Sequence, residues 1–320
     1  MNMKTIRVLF VSSGNAFQGI SPIVKAQGES LRKLGIGIEY FPIQGHGLAG
    51  YLKNVPVLHK FLKQNKFDLV HAHYSLSGMV AGLAGARPLV ESLMGSDCHL
   101  KGFNFFMMHV TNKLFWSACI VKSKDMLKQI DIKASILPNG VDIEHFKPMD
   151  QDECRERLKL PKSKKIVLFL ADPKRVEKNF PLAEEAFKLM KNDHIQLLQV
   201  HDISHELVPI YLNAADVVLL TSLWEGSPNI IKEAMACNCS IVSTDVGDVR
   251  WLLDGLIGCQ VTNSNPVDVA GAISFVLANG EGGIKTCGRD RLIQLKLDSG
   301  SIAVQLQQLY ISVIKAKNTY

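Results

Sequence analysis

The sequence predicts an α/β protein made of two successive parallel-sheet domains, and three observations carry that reading. Short β-branched apolar runs alternate with helical patterns along the whole chain, which is the pattern of βαβ units. The alternation pauses after residue 139 and restarts at residue 165. A length of 320 residues is enough for two domains, each with its own core.

In the first half, residues 5–11, 37–43, 68–72, 88–91, 118–121 and 135–137 read as strands. In the second half, residues 165–171, 195–200, 216–220, 240–243 and 258–261 do the same. Between them Pro138-Asn139-Gly140 is a turn signal, and Phe146-Lys147-Pro148 stops any regular element. Residues 150–158 read as a short charged helix. The expected division is therefore 1–150, 151–301 and a terminal helix in 302–320 that is able to pack on either domain. In open α/β sheets, ligands lie beyond the carboxyl ends of the strands. Two such sheets facing one another would hold a ligand from both sides.

Composition narrows the class. Hydrophobic residues make up 47% and charged residues 21%, as in an ordinary globular protein. The most apolar stretch, residues 76–90, is too short to span a bilayer and contains Arg87. No signal peptide is visible after Arg7, so a cytoplasmic location is expected. The seven cysteines are scattered without a CxxC pair, the pattern of free thiols in a reducing compartment. Residues 1–150 hold 17 Lys and Arg against 10 Asp and Glu, and the remainder holds 19 against 20. The basic excess lies wholly in the first half, where anionic partners are expected. Residues 52–66 place Lys53, Lys60, Lys63 and Lys66 among Val55, Val57, Leu58, Phe61 and Leu62. A basic amphipathic helix there would suit peripheral contact with an anionic membrane; a solvated surface helix reads the same way.

Residues 219–236 carry the most chemistry. A strand ends near Leu220 and a helix begins near Pro228, with Ser227 as its expected N-cap. Glu225 precedes the helix, and Glu233 lies roughly 7–8 Å along its axis from Pro228. Between them stand Gly226, Ser227, Asn229 and Ile230, where a helix N-terminus offers backbone amides and a positive dipole end. Carboxylates accept hydrogen bonds from hydroxyls and backbone amides donate them to phosphate, so a donor with hydroxylated rings on both sides of a diphosphate fits this order. Two false signals are set aside. Asp150-Gln151-Asp152 is formally a DxD but opens a helix, where N-capping explains it, and His194, His201 and His205 lack zinc spacing.

The segment from Glu225 to Glu233 resembles the Glu-x7-Glu motif of family 4 glycosyltransferases, and residues 237–249 resemble the strand and loop that follow it, with Asn238 and Ser240 where Gly and Pro are commoner. The likeness covers nearly the whole chain and is greatest to bacterial transferases of cell-surface polysaccharide assembly, including those of teichuronic acid type. It implies the GT-B arrangement of two facing Rossmann-like domains and retaining, metal-independent transfer of a hexose. The donor would be a nucleotide-diphosphate sugar and the acceptor a glycan or a lipid-linked glycan. Neither cofactor nor nucleic acid is implied. Asp172-Pro173-Lys174-Arg175-Val176-Glu177-Lys178-Asn179 is similar to the family's Arg and Lys pair, which makes Arg175 and Lys178 the diphosphate ligands. Those two and Glu225 are the expected catalytic residues; Gly19, Gly226, Ser227, Asn229, Ile230 and Glu233 are expected to bind donor. Gly19 lies in loop 14–21, which lacks GxGxxG and so argues against a dinucleotide enzyme. His73, Gly95 and Asp97 match positions on the acceptor and donor-sugar side; many relatives place His before that Gly, where this chain has Met94. A nucleotide-sugar epimerase and a GT-B protein that binds nucleotide without turnover share the same plan.

Overall fold

The computed structural model describes residues 5–15, 19–279 and 286–317. Residues 16–18 of the loop 14–21 lie outside the described residues. The chain divides into two compact units, Met1–Gly140 with Ser299–Tyr320, and Val141–Asp298. Each contains one parallel sheet, as the alternation predicts.

The first unit is ordered β2-β1-β3-β4-β5-β6. Its strands are β1 (Arg7–Ser13), β2 (Gly37–Ile43), β3 (Leu69–His73), β4 (Leu89–Ser92), β5 (Ala118–Val121) and β6 (Ser135–Ile136). The interior strands are buried on both faces; Val8 to Val11 are all fully enclosed, which is why they read as a continuous apolar run. Helices α1 (Pro22–Lys33), α2 (Gly47–Leu52), α3 (Val55–Gln64), α4 (Ser75–Leu83), α5 (Gly102–Phe115) and α6 (Lys124–Ile130) connect them.

The second unit is ordered β11-β10-β9-β7-β8. Its strands are β7 (Lys165–Leu170), β8 (Ile195–Val200), β9 (Val217–Leu220), β10 (Ile241–Thr244) and β11 (Cys259–Thr262). Its helices are α7 (Gln151–Leu158), α8 (Phe180–Met190), α9 (Val208–Ala214), α10 (Asn229–Ala236), α11 (Val249–Leu253), α12 (Pro266–Asn279) and α13 (Gly288–Gln294). Val167, Phe169, Leu219 and Val242 pack under α8 and α12 through Leu182, Ala186, Ile273 and Val276. Asp150 caps α7 by accepting from the Glu153 amide at 2.9 Å, so the DxD is a helix start.

Residues 141–150, read above with the first domain, lie in the second unit. The Val141 amide donates to the Leu297 carbonyl at 3.0 Å, and the Arg289 guanidinium holds the carbonyls of Ile143 and Phe146 at 2.8 and 2.9 Å. The terminal helix α14 (Ser299–Lys317) belongs to the first unit. Ile302, Leu306, Tyr310 and Val313 form its buried stripe, and it packs on α1. All seven cysteines are free; five are buried, and Cys287 is exposed. Among the described residues, no helix is long and apolar enough to cross a membrane.

Candidate active site

The second unit gathers three loops at the carboxyl ends of β7, β9 and β10. The β7 loop carries a 3-10 turn, Val176–Lys178, and its last residue Asn179 adopts φ +51° to start α8. The β9 loop is tied to it at three points. The Leu223 amide donates to the Glu177 carbonyl at 2.8 Å, and the Thr221 hydroxyl donates to the carbonyls of Lys178 and Asn179 at 3.1 and 3.0 Å. Thr244 at the end of β10 donates to the Ser222 carbonyl at 2.8 Å. Gly247 (φ +57°) brings the β10 loop against the β9 loop; a Cβ there would sit 2.7 Å from the Gly226 carbonyl oxygen. Only glycine allows that approach.

This scaffold joins Lys178 to Glu225. Lys178 Nζ lies 2.5 Å from Glu225 Oε1, and both side chains are mostly buried, at 14% and 16% exposure. The Ser222 hydroxyl donates to the same oxygen at 2.8 Å. A half-desolvated ion pair of this kind fixes both groups and strengthens their field. Arg175 behaves differently. Its guanidinium is exposed and pairs within its own turn with Glu177, 2.5 Å away.

Helix α10 begins at Asn229, with Pro228 at the cap position in an extended conformation. The expected capping role of Ser227 is therefore corrected. Ser227 stands one residue outside the cap, too far for its hydroxyl to serve the first-turn amides. That hydroxyl is buried and has no hydrogen-bond partner among the described residues. Gly226 and Ser227 are buried; Asn229 and Ile230, in the first turn of α10, are partly exposed. Glu233 lies a turn further along. The residue is partly exposed, and the protein packed around it still pushes its pKa up to about 7 by desolvation, against the opposing charge of Lys232. Lys232 is fully buried; desolvation lowers it to about 8, opposed by the charges of Asp248 and Glu233. Sequence reasoning missed Ser222, Thr221, Thr244 and Lys232. The roles of Thr221, Ser222 and Thr244 follow from contacts between loops, Lys232 is enclosed within α10, and only the resemblance over residues 237–249 gave any signal of them.

In the first unit, the predicted residues are mostly engaged internally. The Asp97 carboxylate accepts from the amides of Met94 at 2.6 Å and Ser75 at 3.2 Å, so it ties the β4 loop to the start of α4. Burial raises it to about 6, with these hydrogen bonds opposing. His73 is 3% exposed, stacked on His71 at 4.3 Å and edge-on to Phe10 at 4.8 Å. Burial, and then the charge of Lys122, hold it neutral with a pKa of about 3. His71 bridges the Tyr310 hydroxyl at 2.6 Å and the Ser92 hydroxyl at 2.8 Å. Gly95 opens the 3-10 turn Gly95–His99. Gly19 has φ +79° and open space where a side chain would be.

The matches to known proteins agree with this arrangement. A glycosyltransferase 4-like family model matches residues 20–122, and a model of glycosyl transferases group 1 matches residues 164–279. The chain belongs to the family 4-like glycosyltransferases. It is 29% identical over 226 residues to TuaC of Bacillus subtilis, a glycosyltransferase named for teichuronic acid biosynthesis. That alignment takes in 60% of this chain and only 57% of TuaC's length. It is 25% identical over 263 residues, 68% of each chain, to the Escherichia coli UDP-Gal:alpha-D-GlcNAc-diphosphoundecaprenol alpha-1,3-galactosyltransferase. Among solved structures, sucrose-phosphate synthase of Thermosynechococcus elongatus superposes with TM-score 0.81 at 17% identity, covering 98% of this chain and 100% of that one. HepE of Anabaena, solved with UDP and glucose, gives 0.72 at 17% identity, covering 96% and 100%. The chain thus has the GT-B fold.

Proposed function

We propose that this glycosyltransferase moves a hexose from a nucleotide-diphosphate donor to a glycan or lipid-linked acceptor, with retention and without a metal ion, in surface polysaccharide synthesis. The observation that carries the reading is the Lys178–Glu225 pair, set on a rigid three-loop scaffold beside the start of α10. Arg175, three residues before Lys178, is exposed and able to turn to a ligand. In the reaction, the bond from the sugar's anomeric carbon to the diphosphate oxygen breaks, and a bond to the acceptor oxygen forms on the same face. The acceptor's proton passes to the departing diphosphate. Lys178 and Arg175 stabilise the negative charge that grows there, as preorganised cations do. Glu225, with the backbone of Gly226 and Ser227, orients the sugar; Glu233 accepts from the ribose hydroxyls. The relatives named above support the donor and acceptor classes: one is named for a UDP-linked sugar and a lipid-diphosphate acceptor, and HepE was solved with UDP. Peripheral contact with an anionic membrane belongs to the same reading.

A panel of UDP-, GDP- and ADP-sugars tests it. One donor class should raise the thermal midpoint, by about 2.7 kcal/mol of stabilisation at 100 times Kd. It should release nucleoside diphosphate only when acceptor is added, with chelators having no effect and the anomeric configuration kept. Conversion of donor without acceptor would make the chain an epimerase, and absence of any stabilisation would remove the donor-binding reading.

A further inference from the structure

Helix α4 of the first unit contacts both α3 and α5. The three differ in how their composition matches their burial. α4 is apolar on all sides, and Ser77 to Gly82 are all buried, as such a helix requires. α3 turns Leu58, Phe61 and Leu62 into the core and leaves Lys60 and Lys63 in water, so these three apolar residues are already covered. α5 carries apolar residues on more than one side, together with Asn104, His109, Asn112 and Lys113, and only one side is covered. Met108 and Thr111 are buried, and Phe115 closes on Gly82. At 100° per residue, Phe103, Phe106, Val110 and Leu114 fall within about 80° of one another, turned away from Met108 and Phe115. Phe103 is 63% exposed, Phe106 60% and Leu114 60%. Contiguous exposed apolar surface of this kind marks a contact with something else.

The surrounding charge says what that contact is. Lys101, just before α5, and Lys113, in its last turn, are exposed. Arg87 donates to the Leu114 carbonyl at 3.3 Å, and Lys317 to the Arg87 carbonyl at 3.2 Å, placing two more cations at the helix end. Between Ser92 and Lys124 the only acidic residue is Asp97, which is buried. The unit as a whole holds 18 Lys and Arg against 7 Asp and Glu. An apolar stripe on one helix, with cations at its ends and no carboxylate in the helix itself, suits an anionic lipid surface.

We infer that the outer face of α5 docks on an anionic membrane, with Phe103, Phe106 and Leu114 entering the boundary between headgroups and acyl chains. For its purpose this rests on the lipid-linked acceptor proposed above, but vesicle binding without donor or acceptor tests the face separately from turnover. The full chain should co-sediment with vesicles containing phosphatidylglycerol, more weakly with pure phosphatidylcholine, and less as salt is raised. Phe103→Ser with Phe106→Ser should weaken that binding by at least ~10-fold, while the thermal midpoint and turnover of a water-soluble acceptor stay unchanged. Wild-type binding retained by the double variant, or no binding by the wild type, would overturn the inference. So would a wild-type dimer that does not bind vesicles and that the same variant dissociates, since the face would then join two copies.

Discussion

At the strand ends of the first unit, polar side chains face one another inside the fold: His71 bridges Tyr310 and Ser92, and Asp97 accepts two backbone amides. At the strand ends of the second, the charged groups are paired but stay near the surface, with Lys178 against Glu225 and Arg175 against Glu177. The same architecture thus serves two ends. Polar groups in the first unit fix loop geometry, whereas the donor-binding role proposed for the second requires that these ion pairs open to the ligand. The family positions His73, Gly95 and Asp97 would then shape the first unit's surface chiefly through backbone.

The sharpest way to break this contrast is Lys178→Ala, which should lower donor turnover by about 10²–10³-fold, measured in steady state, with little change in unfolding free energy. Equal losses of activity and stability would put Lys178 among the structural groups instead. Asp97→Ala should show the reverse. It leaves the buried Ser75 amide and the partly buried Met94 amide without their acceptor and should cost roughly 2–4 kcal/mol in urea unfolding.

A pH series sharpens the comparison within the second unit. Glu233 is held up to about 7, so only its ionised form, a minority at pH 6, can accept two ribose hydroxyls. Affinity for a nucleotide sugar should rise about 5–10-fold from pH 6 to 8 and then level off, and Glu233→Gln should flatten the curve. The sign for stability is opposite. With the folded value above the unfolded one, this group favours the fold fully only below its unfolded pKa and loses that contribution as pH rises through about 7. The wild type and Glu233→Gln should therefore be close in stability at acid pH, and the variant should gain on the wild type as pH rises toward about 7. The smallest effect is expected from Ser227→Ala. Its hydroxyl is buried with no partner among the described residues, so removal should leave the ligand-free fold unchanged or up to ~1 kcal/mol more stable, while donor affinity falls several-fold.

Most of the strands were legible in the sequence to within a residue or two. Parallel strands covered on both faces are continuous apolar runs, as at Val8 to Val11 or Val217 to Leu220, and those are visible without knowing the partner strands. The Asp150 cap was legible because capping is local. The Ser227 cap was misread because Pro228 itself takes the cap position, a one-residue shift that spacing cannot resolve. The amphipathic pattern of residues 52–66 identified a helix with an apolar side, yet not that the core already covers it. The stripe on α5 was not legible because the apolar residues between Phe103 and Leu114 occupy more than one side of the helix, and only burial separates a covered face from an open one.

By itself the sequence determined the two α/β units, the strand–loop–helix holding Glu225 and Glu233, and the Arg175–Lys178 loop, because each depends on residues close together in the chain. Tertiary structure alone decided that α14 belongs with the first unit, that Val141 joins Leu297, that Lys178 is paired with Glu225, and that Gly247 closes on Gly226. These contacts link residues far apart in the chain. A helix or strand records in its sequence that it has a face to bury or a charge to pair, and only the folded chain supplies the partner.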